Sequence, residues 1–206
     1  MAVRDLRLVV IDRDGTLNRD PEDFLHGPDD WEPLPGALEA VARLNEAGWR
    51  VVVASNQSGL GRGLFDVDTL NAVHARMHKA LAGVGGRIDA VFFCPHAPED
   101  ACDCRKPAPG LFLQIAARYG IAPAQLVAVG DSVRDACAGV AAGCDTHLVL
   151  TGQSAVHRDG TRPVGLPEGV TIHDDLLAFA DALIARHAPA ARAADGPAGG
   201  MGAARP

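Results

Sequence analysis

Five short apolar runs constrain this chain more than any other feature: LRLVVI (6–11), WRVVVAS (49–55), IDAVFFC (88–94), QLVAVG (125–130) and THLVL (146–150). They are rich in Val, Ile and Leu, without clear alternation of apolar and polar residues. That pattern belongs to strands of a parallel sheet covered on both faces. Segments of helical period lie between them. PGALEAVARLNEAG (35–48) opens on Pro35 and closes on Gly48, the usual punctuation of a helix. DVDTLNAVHARMHKALAG (66–83) begins with capping aspartates, and PAPGLFLQIAARYG (107–120) and SVRDACAGVAAG (132–143) repeat the scheme. A weaker strand, GVTIH (169–173), precedes a last helix, DDLLAFADALIARH (174–187). Alternating strands and helices joined by right-handed crossovers predict an α/β fold, a Rossmann-like doubly wound parallel sheet with helices on both faces.

The 206 residues, 48% of them hydrophobic, suffice for one core, and a single domain is expected over residues 1–187. Residues 188–206 have no periodic apolar face and read as a disordered tail. A net charge of −7 and a pI near 5.5 exclude the basic footprint of a nucleic-acid binder. No apolar run approaches the roughly 20 residues of a membrane span, and the N-terminal stretch lacks the apolar segment and cleavage site of a signal peptide. The expectation is a cytoplasmic monomer that binds neither nucleic acid nor membrane.

In open α/β sheets ligands bind beyond the carboxyl ends of the strands, so the residues just past each run matter most. After the first come Asp12 and Asp14, and after the second Ser55, Asn56 and Gln57. Past a cysteine-rich loop beyond the third come Arg105 and Lys106, and after the fourth Asp131. Three acids in one crevice repel each other unless a hard divalent cation sits among them, and Mg²⁺ prefers carboxylate oxygens. A lysine, a serine hydroxyl and backbone amides suit a phosphate. The assembly reads as a phosphoryl-transfer site. Asp12, nearest the strand, is the expected nucleophile; Asp14 is the expected general acid and base; Gly15 lets the chain turn away. DRDG alone also suits a polar loop exit or a Ca²⁺ loop, but Ser55, Lys106 and Asp131 after successive strands argue against both.

Cys94, His96, Cys102 and Cys104 form C-x-H-x5-C-x-C. Three thiolates and an imidazole fill a tetrahedral Zn²⁺ site and leave no position for water, so a structural ion is expected. It would staple residues 94–104 and place Arg105 and Lys106, the next two residues along the chain. Buried free thiols or a disulfide fit this polar, turn-rich loop poorly. His74 and His78 read as a solvated helix face, Cys137 and Cys144 as small core residues, and Trp31 and Trp49 as packing residues.

DRDGT, SNQSG, CRKP and GDSVRD, in this order across roughly residues 6–187, resemble the haloacid dehalogenase superfamily of aspartate-nucleophile phosphatases. Within it, NQSGLGRG is most similar to the heptose bisphosphate phosphatases, with the histidinol-phosphate phosphatases as near neighbours. The resemblance implies that Mg²⁺ is held by the carboxylates of Asp12 and Asp131 and the backbone carbonyl of Asp14. It implies that Ser55 and Lys106 stabilise the transferring phosphoryl group and that Arg105 recognises substrate. Asp20, Asp23, Asn56, Gln57 and Ser58 would line the substrate site. Ser132 stands in the substrate region where heptose phosphatases often carry lysine. Residues 17–35 are short for a cap domain, which implies a capless, open site. The implied reaction is hydrolysis of the C7 phosphate of a phosphorylated sugar, D-glycero-D-manno-heptose 1,7-bisphosphate, for heptose precursors of bacterial surface polysaccharide. Alternatives are histidinol phosphate, another small phosphorylated metabolite, and a non-catalytic zinc-stabilised binding domain.

Overall fold

A computed structural model describes residues 6–20 and 27–188. Asp23 and the stretch 189–206 lie outside the described residues. Six strands, β1 (Leu8–Ile11), β2 (Arg50–Asn56), β3 (Ala90–Cys94), β4 (Leu126–Gly130), β5 (Asp145–Val149) and β6 (Thr171–His173), form one sheet in the order β3-β2-β1-β4-β5-β6. Every neighbouring pair is parallel. The helices are α1 (Ala37–Glu46), α2 (Ser58–Gly61), α3 (Val67–Gly83), α4 (Gly110–Tyr119), α5 (Val133–Ala142) and α6 (Leu176–His187).

The lack of alternation in the strands has a direct structural counterpart. Val9, Ile11, Val51, Val53, Val127 and Val129 face one apolar layer, which they share with α1, α3 and α6. Leu8, Val10, Val52, Ala54, Leu126 and Ala128 face the opposite layer, shared with α4 and α5. The three central strands β1, β2 and β4 are therefore apolar on both faces because both faces are covered. Trp31 and Trp49 belong to the first layer. Cys144, half-buried, packs against the second layer as expected, whereas Cys137 is half-buried and departs from the expectation of a core residue.

Capping agrees with the sequence. The Asp66 side chain accepts from the Thr69 amide at the start of α3, and Asp175 does the same for Ala178 at α6. The predicted helix at 107–120 starts later, at Gly110. Among the described parts of residues 17–35 there is only a tight turn at Pro28–Asp30 and the short bridges of Asn18 to Asp14 and Pro33, so no cap domain lies among the described residues. No helix of the described residues is long and apolar enough to cross a membrane.

The strand order reverses between β1 and β4, and the pairing runs past the end of β1, where the Asp12 amide donates to the Val129 carbonyl at 2.9 Å. The carboxyl ends of these two strands flank the switch point, where such sheets bind ligands.

Candidate active site

A cleft of about 200 Å³ opens at that end of the sheet, lined by Asp12, Arg13, Asp14, Asp20, Ser55, Asn56, Gln57, Ser58, Phe65, Arg105, Lys106, Ser132, Arg134, Asp135 and Gln153. It gathers every described candidate residue of the phosphate and substrate sites except Asp131, which lies beneath its floor and is 1% exposed.

Lys106 organises the floor. Its ammonium donates to Asp12 Oδ1 at 2.7 Å and to the Ala54 carbonyl at 2.7 Å, and it pairs with Asp135 Oδ1 at 2.5 Å. Burial alone would lower its pKa, but Asp12 and Asp135 outweigh burial and raise it, so it stays charged. Asn56 holds Lys106 in place: its amide donates to the Lys106 carbonyl and accepts from the Lys106 N–H, both at 3.0 Å. The Asn56 side chain is thus engaged with backbone as it borders the cleft.

Asp131 is fixed from two sides, by the Thr16 hydroxyl at 3.0 Å and the Gln153 amide at 2.8 Å. Gly15, at φ 85°, and Gly152 press against it, and a Cβ at either would collide with its carboxylate. The glycine after the aspartate pair therefore does more than turn the chain; it lets the loop after β1 lie against Asp131. Asp135, on the first turn of α5, completes the acidic cluster, and oxygens of Asp12, Asp131 and Asp135 lie within 4.8 Å of one another. Burial and then Asp135 push Asp131 up to about 7. Burial and then Asp135 also raise Asp12 well above the carboxylate range, Lys106 only partly opposing them. Three carboxylates facing one ammonium are short of positive charge, which a hard divalent cation would supply.

Sequence reasoning gave no role to Asp135. Ser132 caps α5, and the Asp135 carboxylate accepts from the Ser132 N–H at 3.0 Å and from its hydroxyl at 2.5 Å. The Ser-x-x-Asp spacing is that of a capping box, and Asp135 serves both as that cap and as a member of the acidic cluster. The Ser132 hydroxyl is tied up in the same cap.

The acid/base candidate sits in a cage of donors. Arg13 Nε and Nη2 fork onto Asp14 at 2.9 and 2.8 Å. Asn18 adds a bond at 3.0 Å and Gln57 one at 2.8 Å. Burial would raise the Asp14 carboxyl, but the Arg13 charge and these bonds prevail and lower it, so Asp14 is ionised in the resting site. Gln57 also donates to Ser55 Oγ at 2.7 Å, leaving the Ser55 proton free to point elsewhere. Arg13 is 2% exposed, and its third nitrogen lies 3.3 Å from His74 Nε2. The solvated helix face expected for His74 is corrected here: α3 turns it inward against Arg13 and, at a ring distance of 6.5 Å, Phe93, while His78 remains exposed.

Arg105, Arg134, Phe65, Asp20 and Gln153 form the rim. Burial and then Asp14 raise the Asp20 carboxyl, and a bond from Gln153 lowers it. Arg105 Nη1 reaches back to the His96 carbonyl at 3.4 Å, tying the rim to the cysteine loop. There, Cys94 and Cys104 both lie 3.6 Å from Cys102, and His96 Nδ1 lies 3.5 Å from Cys94 and 3.3 Å from Cys104. A tetrahedron with Zn–S bonds of about 2.3 Å has S–S edges of about 3.8 Å, so the donor set fits zinc. No disulfide forms among the described cysteines. Burial pushes the Cys94 thiol up to about 12, and only a bound cation would keep such a group as thiolate at neutral pH.

Comparison with known proteins gives the same picture. Residues 18–143 match the haloacid dehalogenase-like hydrolase family. The chain is 51% identical over 179 residues to D-glycero-beta-D-manno-heptose-1,7-bisphosphate 7-phosphatase of Bordetella bronchiseptica, covering 87% of this chain and 98% of that one. It is 46% identical to the protein of the same name from Pseudomonas aeruginosa, covering 86% and 97%. Among solved structures, D,D-heptose 1,7-bisphosphate phosphatase of B. bronchiseptica, complexed with magnesium and phosphate, superposes with a TM-score of 0.83 at 50% identity, over 88% of this chain and 99% of that one. The Burkholderia thailandensis enzyme gives 0.67 at 52% identity, over 86% and 98%.

Proposed function

Given that the chain belongs to the haloacid dehalogenase-like hydrolase family, we propose that it hydrolyses the C7 phosphate of D-glycero-D-manno-heptose 1,7-bisphosphate, leaving the heptose 1-phosphate. The observation that carries this reading is the convergence of Asp12, Asp14, Ser55, Lys106, Asp131 and Asp135 at the switch point, in a chain 51% identical to a heptose bisphosphate phosphatase over 98% of that protein's length.

Asp12 attacks phosphorus and the ester C–O oxygen leaves, giving an aspartyl-phosphate. Lys106 holds the Asp12 carboxylate in line and, with the Ser55 hydroxyl, balances the charge on the phosphoryl oxygens. Water then attacks the aspartyl-phosphate and releases inorganic phosphate and free Asp12. Asp14, ionised in the resting site, suits deprotonation of that water. To protonate the leaving oxygen it must first take up a proton against the pull of Arg13.

Mg²⁺ would be held by Asp12, Asp131 and the Asp14 backbone carbonyl, with Asp135 at hand, and would supply positive charge to the phosphoryl group. Zn²⁺ would be held by Cys94, His96, Cys102 and Cys104 with every position filled, so its task is structural. Through Arg105 and Lys106 that loop feeds directly into the cleft. Arg105 and Arg134 on the rim offer guanidinium charge to a second phosphate, as a bisphosphate requires.

The deciding experiment measures phosphate release side by side on both anomers of the heptose bisphosphate and on histidinol phosphate. The expected result is a kcat/KM that favours a heptose bisphosphate by orders of magnitude. Equal or better turnover of histidinol phosphate overturns the substrate assignment.

A further inference from the structure

We infer that His74, outside the cleft, is a positioning residue for the reaction: its Nε2 accepts a hydrogen bond from Arg13 and so holds the guanidinium fork that orients Asp14. The inference rests on the phosphatase reading for its kinetics, but its geometry stands apart from that reading.

Arginine has only donors, so a contact of 3.3 Å between Arg13 Nη1 and His74 Nε2 requires Nε2 to be the acceptor and the ring to be neutral with its proton on Nδ1. Burial, with the Arg13 charge, holds the imidazole at about 4, so the ring stays neutral across the working range. The contact is a long-range one: His74 sits on α3, and the pair spans 61 residues of sequence. His74 is buried, like Arg13, so neither can exchange its partner for water without cost.

The fork is what needs holding. Asp14 Oδ1 takes Arg13 Nε and Asn18, and Oδ2 takes Arg13 Nη2 and Gln57. Four donors occupy the four lone-pair sites of the carboxylate. One must yield when Asp14 exchanges a proton with substrate or water, and the plane of the carboxylate at that moment is set by what remains. A guanidinium fixed at its far nitrogen keeps its two-point contact in one plane. Without that anchor the arginine can rotate about its stem, and Asp14 moves with it.

Two variants and one spectrum test this. His74→Phe keeps a ring beside Phe93 and removes the acceptor; His74→Gln keeps a carbonyl acceptor. The expected result is a fall in kcat/KM of roughly tenfold for an alkyl phosphate in His74→Phe, against about twofold for p-nitrophenyl phosphate, whose leaving oxygen needs little protonation. His74→Gln should recover most of the difference. Equal loss on both esters, or no loss in a folded His74→Phe protein, overturns the inference. Independently of activity, ¹⁵N NMR of the His74 ring at neutral pH should report the neutral Nδ1–H tautomer. An Nε2–H tautomer or a charged ring overturns it, even if the wild-type protein proves to act on another substrate.

Discussion

Two ligand clusters stand side by side in this molecule, and they are built in opposite ways. Cys94 at the end of β3 and His96, Cys102 and Cys104 in the loop that follows all fall within residues 94–104, and their ligand atoms lie within 4.8 Å of one another. Asp12, Asp131 and Asp135 come from the ends of β1 and β4 and the start of α5, and they share their space with Lys106. The first set is closed and complete. The second is open to a cleft and carries more negative charge than its lysine balances. A closed site stabilises and an open one reacts. Arg105 and Lys106, immediately after Cys104, are where the two meet.

Breaking each cluster should therefore produce a different signature. The largest effect is expected from Asp12→Asn, because an amide cannot form the acyl phosphate. Steady-state turnover should fall by more than about 10³-fold, while thermal unfolding shows no loss of stability. Appreciable turnover by the purified variant would remove Asp12 as nucleophile.

Arg105 lies on the seam and sharpens the comparison. If it holds the second phosphate, Arg105→Ala should lose about 2–3 kcal/mol, roughly 30- to 150-fold in kcat/KM, on the bisphosphate. A monophosphate of similar size should be affected far less. Equal losses on the two, accompanied by a lower Tm, would assign Arg105 to bracing the cysteine loop through the His96 carbonyl.

Cys102→Ser should reverse the signature of Asp12→Asn. Zinc, measured by elemental analysis at near one per wild-type chain and resistant to mild EDTA, should be lost. Stability should fall on the order of 4 kcal/mol, or about 10 °C in Tm, and activity should drop because Arg105 and Lys106 shift. A zinc-free wild-type protein of unchanged stability would contradict the closed-site account.

The smallest effect concerns charge in the open cluster. Asp131 is raised from 3.8 to about 7 in the folded chain. The native state therefore keeps a proton that the unfolded chain gives up, and the resulting stability is lost as pH rises from about 4 through 7. In Mg²⁺-free protein, Asp131→Asn should raise Tm by a few degrees at pH 8 and change it little at pH 4. Adding Mg²⁺ at pH 8 should stabilise wild type but not the variant. An identical Mg²⁺ response in both would remove Asp131 as a ligand.

The same contrast explains what could be read from the sequence. The cysteine cluster is legible because all its spacing lies within residues 94–104. The fold is legible because both faces of the sheet are covered at its centre, so β1, β2 and β4 register as apolar runs without alternation. Asp12, Ser55, Lys106 and Asp131 could be brought together only by first committing to that sheet and counting strand ends. What escaped has a local meaning that masks the distant one. Asp135 has the spacing of a helix cap. Arg13 draws no reading of its own between the two aspartates. His74 reads as one of an exposed i, i+4 pair. Each finds its partner across the fold, Lys106 for Asp135 and the Arg13–His74 contact for the other two. Asn56 and Ser132 show the converse: they border the cleft as expected, yet their side chains are engaged with Lys106 backbone and Asp135.

The most direct test of Asp12 as the nucleophile is to trap the covalent species. Protein mixed with the heptose bisphosphate and quenched in acid within the first turnover should carry one phosphoryl group. Borohydride reduction should convert position 12 to homoserine in the recovered peptide, and Asp12→Asn protein should show neither. Phosphate on any other residue, or normal turnover with no trapped species at position 12, would contradict it.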